Sequence, residues 1–168
     1  RDLFSFECAA ALHLDFPAVD QFLYETGVMN HFIRSAQHRV FVFKNIEAMR
    51  ASGYNFFNAI GIGPGIGFGA QSKEVLSEIL KICTVPLLLD ADALNILSKN
   101  TDLIHKIPPK TILTPHSKEF DRLFGIHTNT DERIETAFRK AKEHNVIIIL
   151  KGHKTFITNG IDGFFNTT

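Results

Sequence analysis

Four short stretches concentrate the residues able to do chemistry. Gly61-Ile62-Gly63-Pro64-Gly65-Ile66-Gly67-Phe68-Gly69 places glycine at every second position, which lets backbone come close to a ligand and leaves amides to face an anion. A tight turn from strand to helix explains the same run equally well. Asp90-Ala91-Asp92-Ala93-Leu94-Asn95 sets two carboxylates one residue apart, followed by a carboxamide. Helix capping alone accounts for Asp92 and Asn95, because short acceptors satisfy the free amides of a helix start. Asp90 is different, since it ends a run of three leucines; its carboxylate must emerge at a strand end or be paired inside. Thr114-Pro115-His116-Ser117-Lys118-Glu119-Phe120 puts a histidine beside a helix start with Glu119 one turn in, and a cap and a ligand contact are equally open for His116. Lys151-Gly152-His153-Lys154-Thr155 offers cations, a flexible glycine and a hydroxyl. That set suits phosphate, and a solvated basic turn is the plain alternative.

The elements between these stretches decide whether they meet. Val40 to Phe43 reads as a short strand, Ile46 to Ala51 as a helical turn or two, and Asn58 to Ile62 as a buried strand running into the glycine loop. From Gln71 to Cys83, Val75, Leu76, Ile79, Leu80 and Ile82 form one stripe opposite Lys73, Glu74, Ser77, Glu78 and Lys81, the mark of an amphipathic helix. Pro86 to Asp90 is an apolar run too short for a helix and predicts a strand buried on both faces. A short helix over Ala93–Leu97, a strand over Thr111–Leu113 and a helix over Lys118–Phe124 stopped by Gly125 follow. Thr128 to Asp131 supplies caps for a helix with Ile134, Ala137, Phe138 and Ala141 at i, i+3, i+4 and i+7. Val146–Leu150 is the strongest strand, and Asn159-Gly160 joins Thr155–Thr158 to Gly163–Phe165 as a hairpin.

Strands alternating with amphipathic helices predict a three-layer α/β fold, a mostly parallel sheet with helices on both faces. Ligands in such folds sit beyond the carboxyl ends of the strands. All four stretches leave strands at that end, so the geometry would bring them to one crevice. Each is ambiguous alone; their convergence is what points to a ligand site.

The bulk properties narrow the classes. The chain has 168 residues with 45% apolar side chains, enough for one α/β domain. Lysine plus arginine balances aspartate plus glutamate at 18 each, so no overall field attracts nucleic acid or an anionic membrane surface. Cys8 and Cys83 form no CxxC or Cys/His pattern, which argues against a zinc site or a disulfide framework and fits a reducing cytoplasm. No apolar run reaches the roughly 20 residues of a membrane span, and no signal peptide is expected. Arg1 in first place and a strand-like ending at Phe164–Thr168 without a closing helix predict a domain incomplete at both ends.

Taken together and in this order, Gly61–Gly67, Asp90–Asn95, Thr114–Phe120 and Lys151–Thr155 resemble the NAD(P)H-hydrate dehydratase family, over roughly residues 57 to 168. The resemblance implies a ribokinase-like fold and an enzyme that uses ADP or ATP, with Mg2+, to return NADH hydrate or NADPH hydrate to the reduced nucleotide. By that resemblance Gly65, Gly67 and His116 contact the hydrated nicotinamide nucleotide. Lys151, Gly152, His153, Lys154 and Thr155 hold the adenine nucleotide, while Asp90, Asn95 and Glu119 lie near phosphate and magnesium. Hydroxide is a poor leaving group, and phosphorylating the hydroxyl makes it a good one once a general base takes its proton. In the family that base is an aspartate at the end of a glycine-rich loop forming an anion hole, which the resemblance places beyond Thr168. It also implies a homo-oligomer, and the cysteine usage above places it in the cytoplasm. Leu3 to Phe22, through Phe4-Ser5-Phe6-Glu7 and Asp15-Phe16-Pro17, is similar to the tail of an epimerase domain often fused ahead of the dehydratase. The expected division is therefore 1–39, an N-terminal segment, and 40–168, a partial ribokinase-like dehydratase domain.

Other functions compete. A sugar or vitamin kinase of the same superfamily would share fold and nucleotide loop, and Thr114-Pro115-His116 with Glu119 separates it from the dehydratase. Gly65 to Ala70 fits GxGxxA after a strand with Asp90 ending the next strand, as in an NAD-dependent dehydrogenase; Pro64 and the long glycine run count against it, and it leaves the third and fourth loops unexplained. A third expectation is an inactive nucleotide-binding fragment, because a missing general base alone costs ~10² to 10⁴ in rate.

Overall fold

In the computed structural model the described residues are 59–166, together with the backbone of one short strand, β1 (Phe41–Val42). The expected turn at Ile46–Ala51, the epimerase-like segment and the boundary near residue 39 lie outside them. The order continues as β2 (Ile60–Ile62), α1 (Ala70–Ile82), β3 (Leu87–Leu89), α2 (Ala91–Lys99), α3 (Thr101–Ile104), β4 (Ile112–Leu113), α4 (Ser117–Phe124), α5 (Thr130–His144), β5 (Ile147–Leu150), β6 (Phe156–Thr158) and β7 (Gly163–Phe165).

The strands form one seven-stranded sheet in sequential order. β1 to β5 pair in parallel, and β6 and β7 close it as an antiparallel hairpin. Register is tight, with Leu89 opposite both Ile62 and Leu113, and Leu113 opposite Ile148. The strand ends of β2 to β5 therefore stand level, and so do the loops that leave them.

The sequence pattern explains each crossover. Val75, Leu76, Ile79 and Leu80 are the buried residues of α1, four of the five in the predicted stripe. Asn129 caps α5 by accepting from the Glu132 amide at 2.9 Å, and Asn145 ends it in the left-handed region at φ 52°. Two details depart from the sequence pattern. α2 is longer than Ala93–Leu97 and a further short helix, α3, follows it, because Ala93, Leu94, Ile96, Leu97, Leu103 and Ile104 all reach the core. The β6–β7 loop has four residues, held by Asn159 Oδ1 accepting from the amides of Ile161 and Asp162 at 2.9 and 2.8 Å.

The main core joins all five helices to one sheet face through Ile60, Ile62, Leu87, Leu89, Leu113, Ile148 and Leu150. The other face carries a small cluster of Leu88, Ile112 and Ile149, with Ile147 and Ile157 against it. Right-handed crossovers between strands in sequential order all fall on the same side. The described residues thus supply one helical layer of the α/β fold, and no helix among them lies on the second face. No helix among them is long and apolar enough to cross a membrane.

Candidate ligand-binding site

The sheet register delivers all four chemical loops to one edge and ties them to each other. The second loop is the hub. Asp90 stands at the N-cap position of α2, extended at φ −139° and ψ 169°, yet its side chain makes no capping bond. It is buried, and its Oδ1 accepts from the Thr114 hydroxyl at 2.8 Å and from Lys151 Nζ at 2.8 Å. A hydroxyl from the third loop and an ammonium from the fourth so converge on one oxygen. Ala91 follows at φ 44°, a conformation costly for a residue with a Cβ. It turns the chain between the two carboxylates, and Asp92 Oδ2 accepts instead from the Gly67 amide at 2.9 Å.

The glycine loop meets the hub through Gly63, at φ 147°, where a Cβ would lie 1.8 Å from the Asp90 carbonyl oxygen. Only a residue without a side chain lets the two loops pack this closely. Gly65, at φ 75°, is unlike it: a Cβ there would meet nothing within 4 Å. Its surroundings are open, as a ligand contact requires. The Gly67 amide, by contrast, is already taken by Asp92, so the loop offers fewer free amides than its glycine count suggested.

His116 is the N-cap of α4. Its Nδ1 accepts from the amides of Lys118 and Glu119 at 3.1 and 3.4 Å, and Glu119 Oε2 accepts from the His116 amide at 2.9 Å, a reciprocal capping box. An Nδ1 that accepts carries no proton, so the ring proton is on Nε2, which faces Glu119 Oε1 at 3.4 Å. The cap is therefore real, and the half-exposed ring is what remains for a ligand. Glu119 is buried with both oxygens engaged at its own helix start. Asn95 accepts from Arg122 of α4 at 2.8 Å and so braces α2 against α4. Of the three residues expected near phosphate, only Asp90 joins the loops. Among the described residues no three His, Cys, Asp or Glu form a metal-holding group.

The fourth loop adjoins the third: the Lys151 amide donates to the Pro115 carbonyl at 2.8 Å, and His116 and Lys151 form a parallel bridge. Gly152, His153 and Lys154 are exposed and Thr155 is half-buried. Sequence reasoning missed Thr114, Arg122 and Phe68 as partners here. Phe68 is exposed beneath the Lys99 ammonium, 5.2 Å from its ring centroid; an aromatic inside a glycine loop was the available signal.

The fold and its edge of tied loops define a ribokinase-like α/β protein. The structure is similar to a ribokinase-like superfamily protein from Enterococcus faecalis, with TM-score 0.60 and 26% identity over 72% of this chain and 43% of that one. It is also similar to Bacillus subtilis YxkO, a UPF0031 family member, with TM-score 0.54 and 32% identity over 66% and 40%. Hydroxyethylthiazole kinase from Pyrococcus horikoshii shares the fold alone, at 16% identity and TM-score 0.58 over 72% and 49%.

Within that class the chain belongs to the NAD(P)H-hydrate dehydratase family, whose model matches residues 24–166. It is 39% identical over 106 residues to the ATP-dependent (S)-NAD(P)H-hydrate dehydratase of Pediculus humanus subsp. corporis, covering 62% of this chain and 34% of that protein. It is 41% identical over 104 residues to a bifunctional NAD(P)H-hydrate repair enzyme of Thermosynechococcus vestitus, covering 61% and 20%. The matched region is about a third or less of these relatives' length.

Proposed function

We propose that this chain carries the ligand-binding edge of an enzyme that dehydrates NADH hydrate or NADPH hydrate at the expense of ADP or ATP. The observation that carries the reading is the meeting of the four loops: Lys151 and Thr114 both donate to Asp90, the Lys151 amide reaches Pro115 beside His116, and Asp92 accepts from Gly67. Lys151 to Thr155 takes the nucleotide phosphates, with Lys151 as a held cation. Gly65, with open space above it, and the half-exposed ring of His116 receive the hydrated nicotinamide nucleotide. Magnesium bound to those phosphates would offset their charge. The residues of this chain bind and orient; transfer of a phosphoryl group to the hydrate's hydroxyl, followed by loss of phosphate, is the chemistry they would serve.

The test is the return of reduced-nicotinamide absorbance when NADH hydrate, magnesium and ADP or ATP are added to the purified protein extended through the glycine-rich segment that the family carries after the position of Thr168. Restoration that falls by about tenfold or more in Lys151→Ala supports the reading. A folded protein that leaves the hydrate untouched while phosphorylating an alcohol substrate makes it a kinase of the same fold.

A further inference from the structure

Asp90 occupies an N-cap position without capping. An aspartate there ordinarily accepts from the amides of its own helix, but this one makes no such bond. Its Oδ1 instead takes two donors from distant parts of the chain, the Thr114 hydroxyl at 2.8 Å and the Lys151 ammonium at 2.8 Å. The burial is asymmetric: the Asp90 side chain is 9% exposed and that of Lys151 36%. The carboxylate is thus fixed in the fold, while the side chain of the lysine it holds is the more open of the two at the ligand edge. Asp90 is itself anchored, its amide donating to the Ile62 carbonyl at 3.0 Å and its own carbonyl lying against Gly63. A free lysine side chain samples many rotamers, and binding an anion must freeze them.

Resting on the nucleotide role of Lys151 above, we propose that Asp90 is a positioning residue: with Thr114 it holds the Lys151 ammonium ready for a nucleotide phosphate instead of meeting phosphate or metal itself. Thr114 orients the carboxylate and Asp90 orients the cation. Removing Asp90 would also lift a negative charge from beside the phosphate, which alone would tighten binding. The proposal requires the loss of positioning to outweigh that gain.

Titration calorimetry with ADP decides between them. Lys151→Met and Asp90→Ala are each expected to weaken ADP binding about tenfold, the scale of one charge-assisted hydrogen bond. Asp90→Asn, which keeps an acceptor oxygen, loses less than Asp90→Ala. In the Lys151→Met background Asp90→Ala adds less than about twofold, because both changes remove one interaction. Thr114→Val leaves both charges in place; it gives a smaller loss in the same direction that vanishes in Lys151→Met, and it serves if Asp90→Ala melts early. Unchanged or tighter ADP binding in Asp90→Ala or Thr114→Val, or a full further tenfold loss in the Lys151→Met background, overturns the proposal while leaving Lys151 as a nucleotide residue. Parent-like ADP binding by Lys151→Met overturns that nucleotide role and the proposal with it.

Discussion

Asp90 and Asp121 each gather a small polar network, and the two differ in reach. The partners of Asp121 are near in sequence: His127 Nδ1 lies 2.9 Å from Oδ1, and Arg133 donates through Nε at 3.0 Å and Nη2 at 2.7 Å. His127 Nε2 lies 3.0 Å from the Thr136 hydroxyl, and Arg133 also reaches the His127 carbonyl at 3.1 Å. That network closes the turn between α4 and α5 and needs little beyond two adjacent helices. The partners of Asp90 are 24 and 61 residues away, and meet only when β3, β4 and β5 lie in register. Short loops cost little entropy to close and long ones more. The local network is therefore a brace formed with its helices, and the distant one is the product of the whole sheet. A ligand edge assembled in this way registers a disturbance anywhere in the sheet.

The most damaging single change is expected at Gly63. Gly63→Ala pushes a Cβ into the Asp90 backbone, and the expected cost is about 3 kcal/mol or more in thermal or denaturant unfolding, with ADP affinity lost alongside. Gly65→Ala, where only the positive φ of 75° is strained and no atom is met, should cost roughly 1–2 kcal/mol. Equal costs at the two positions would mean that Gly63 is not pinned by the Asp90 carbonyl.

Next in size is the brace. Asp121→Ala should cost about 2 kcal/mol through two charge-assisted bonds and leave ADP affinity within about twofold. The Arg133 guanidinium beside Asp121 holds its carboxyl below the usual carboxylate range, and His127 acts in the same direction against burial. A depressed carboxyl stabilises the fold fully above its unfolded value, about 3.9, and the contribution is lost as pH falls through the folded value. Asp121→Asn should therefore flatten the acid side of the stability profile below about pH 4. A parent-like acid slope would show that the pair contributes nothing.

The smallest expected effect separates the two roles of His116. His116→Ala removes the cap and should cost about 1 kcal/mol, whereas His116→Asn supplies another good capping oxygen and should restore most of it. If the ring also meets the nicotinamide nucleotide, both variants lose hydrate affinity to a similar degree, measured by competition with NADH hydrate. Full recovery of affinity in the asparagine variant would leave His116 as a cap alone.

Much of the fold was legible because periodicity reports burial. The stripe Val75, Leu76, Ile79 and Leu80, and the runs Leu87–Leu89 and Ile147–Leu150, were each recognisable as elements with buried faces, and the structure buries all of them but Ile147, which is half-buried. The site was legible as four loops and less so as contacts. Asp92 and Asn95 read as helix caps, yet they reach Gly67 and Arg122, because local spacing does not say which distant donor a side chain will find. Glu119 read as a carboxylate favouring its own helix start and, through the resemblance, as lying near phosphate; the structure shows the first as a capping box with His116. Thr114 read as part of the third stretch with no partner of its own, since a threonine hydroxyl at a strand end has no chemistry until a buried carboxylate lies beside it.

By itself the sequence determined the alternation of strands and helices, the placing of chemical loops after strands, and the residues those loops contain. These are local properties: burial patterns, caps and turn residues act over a few positions. Only the tertiary structure decided that Asp90 would spend its oxygen on Thr114 and Lys151, that Gly63 would yield its side-chain space to the Asp90 backbone, and that all described helices would share one face. Those outcomes depend on parallel register and crossover handedness, which join residues far apart in the chain.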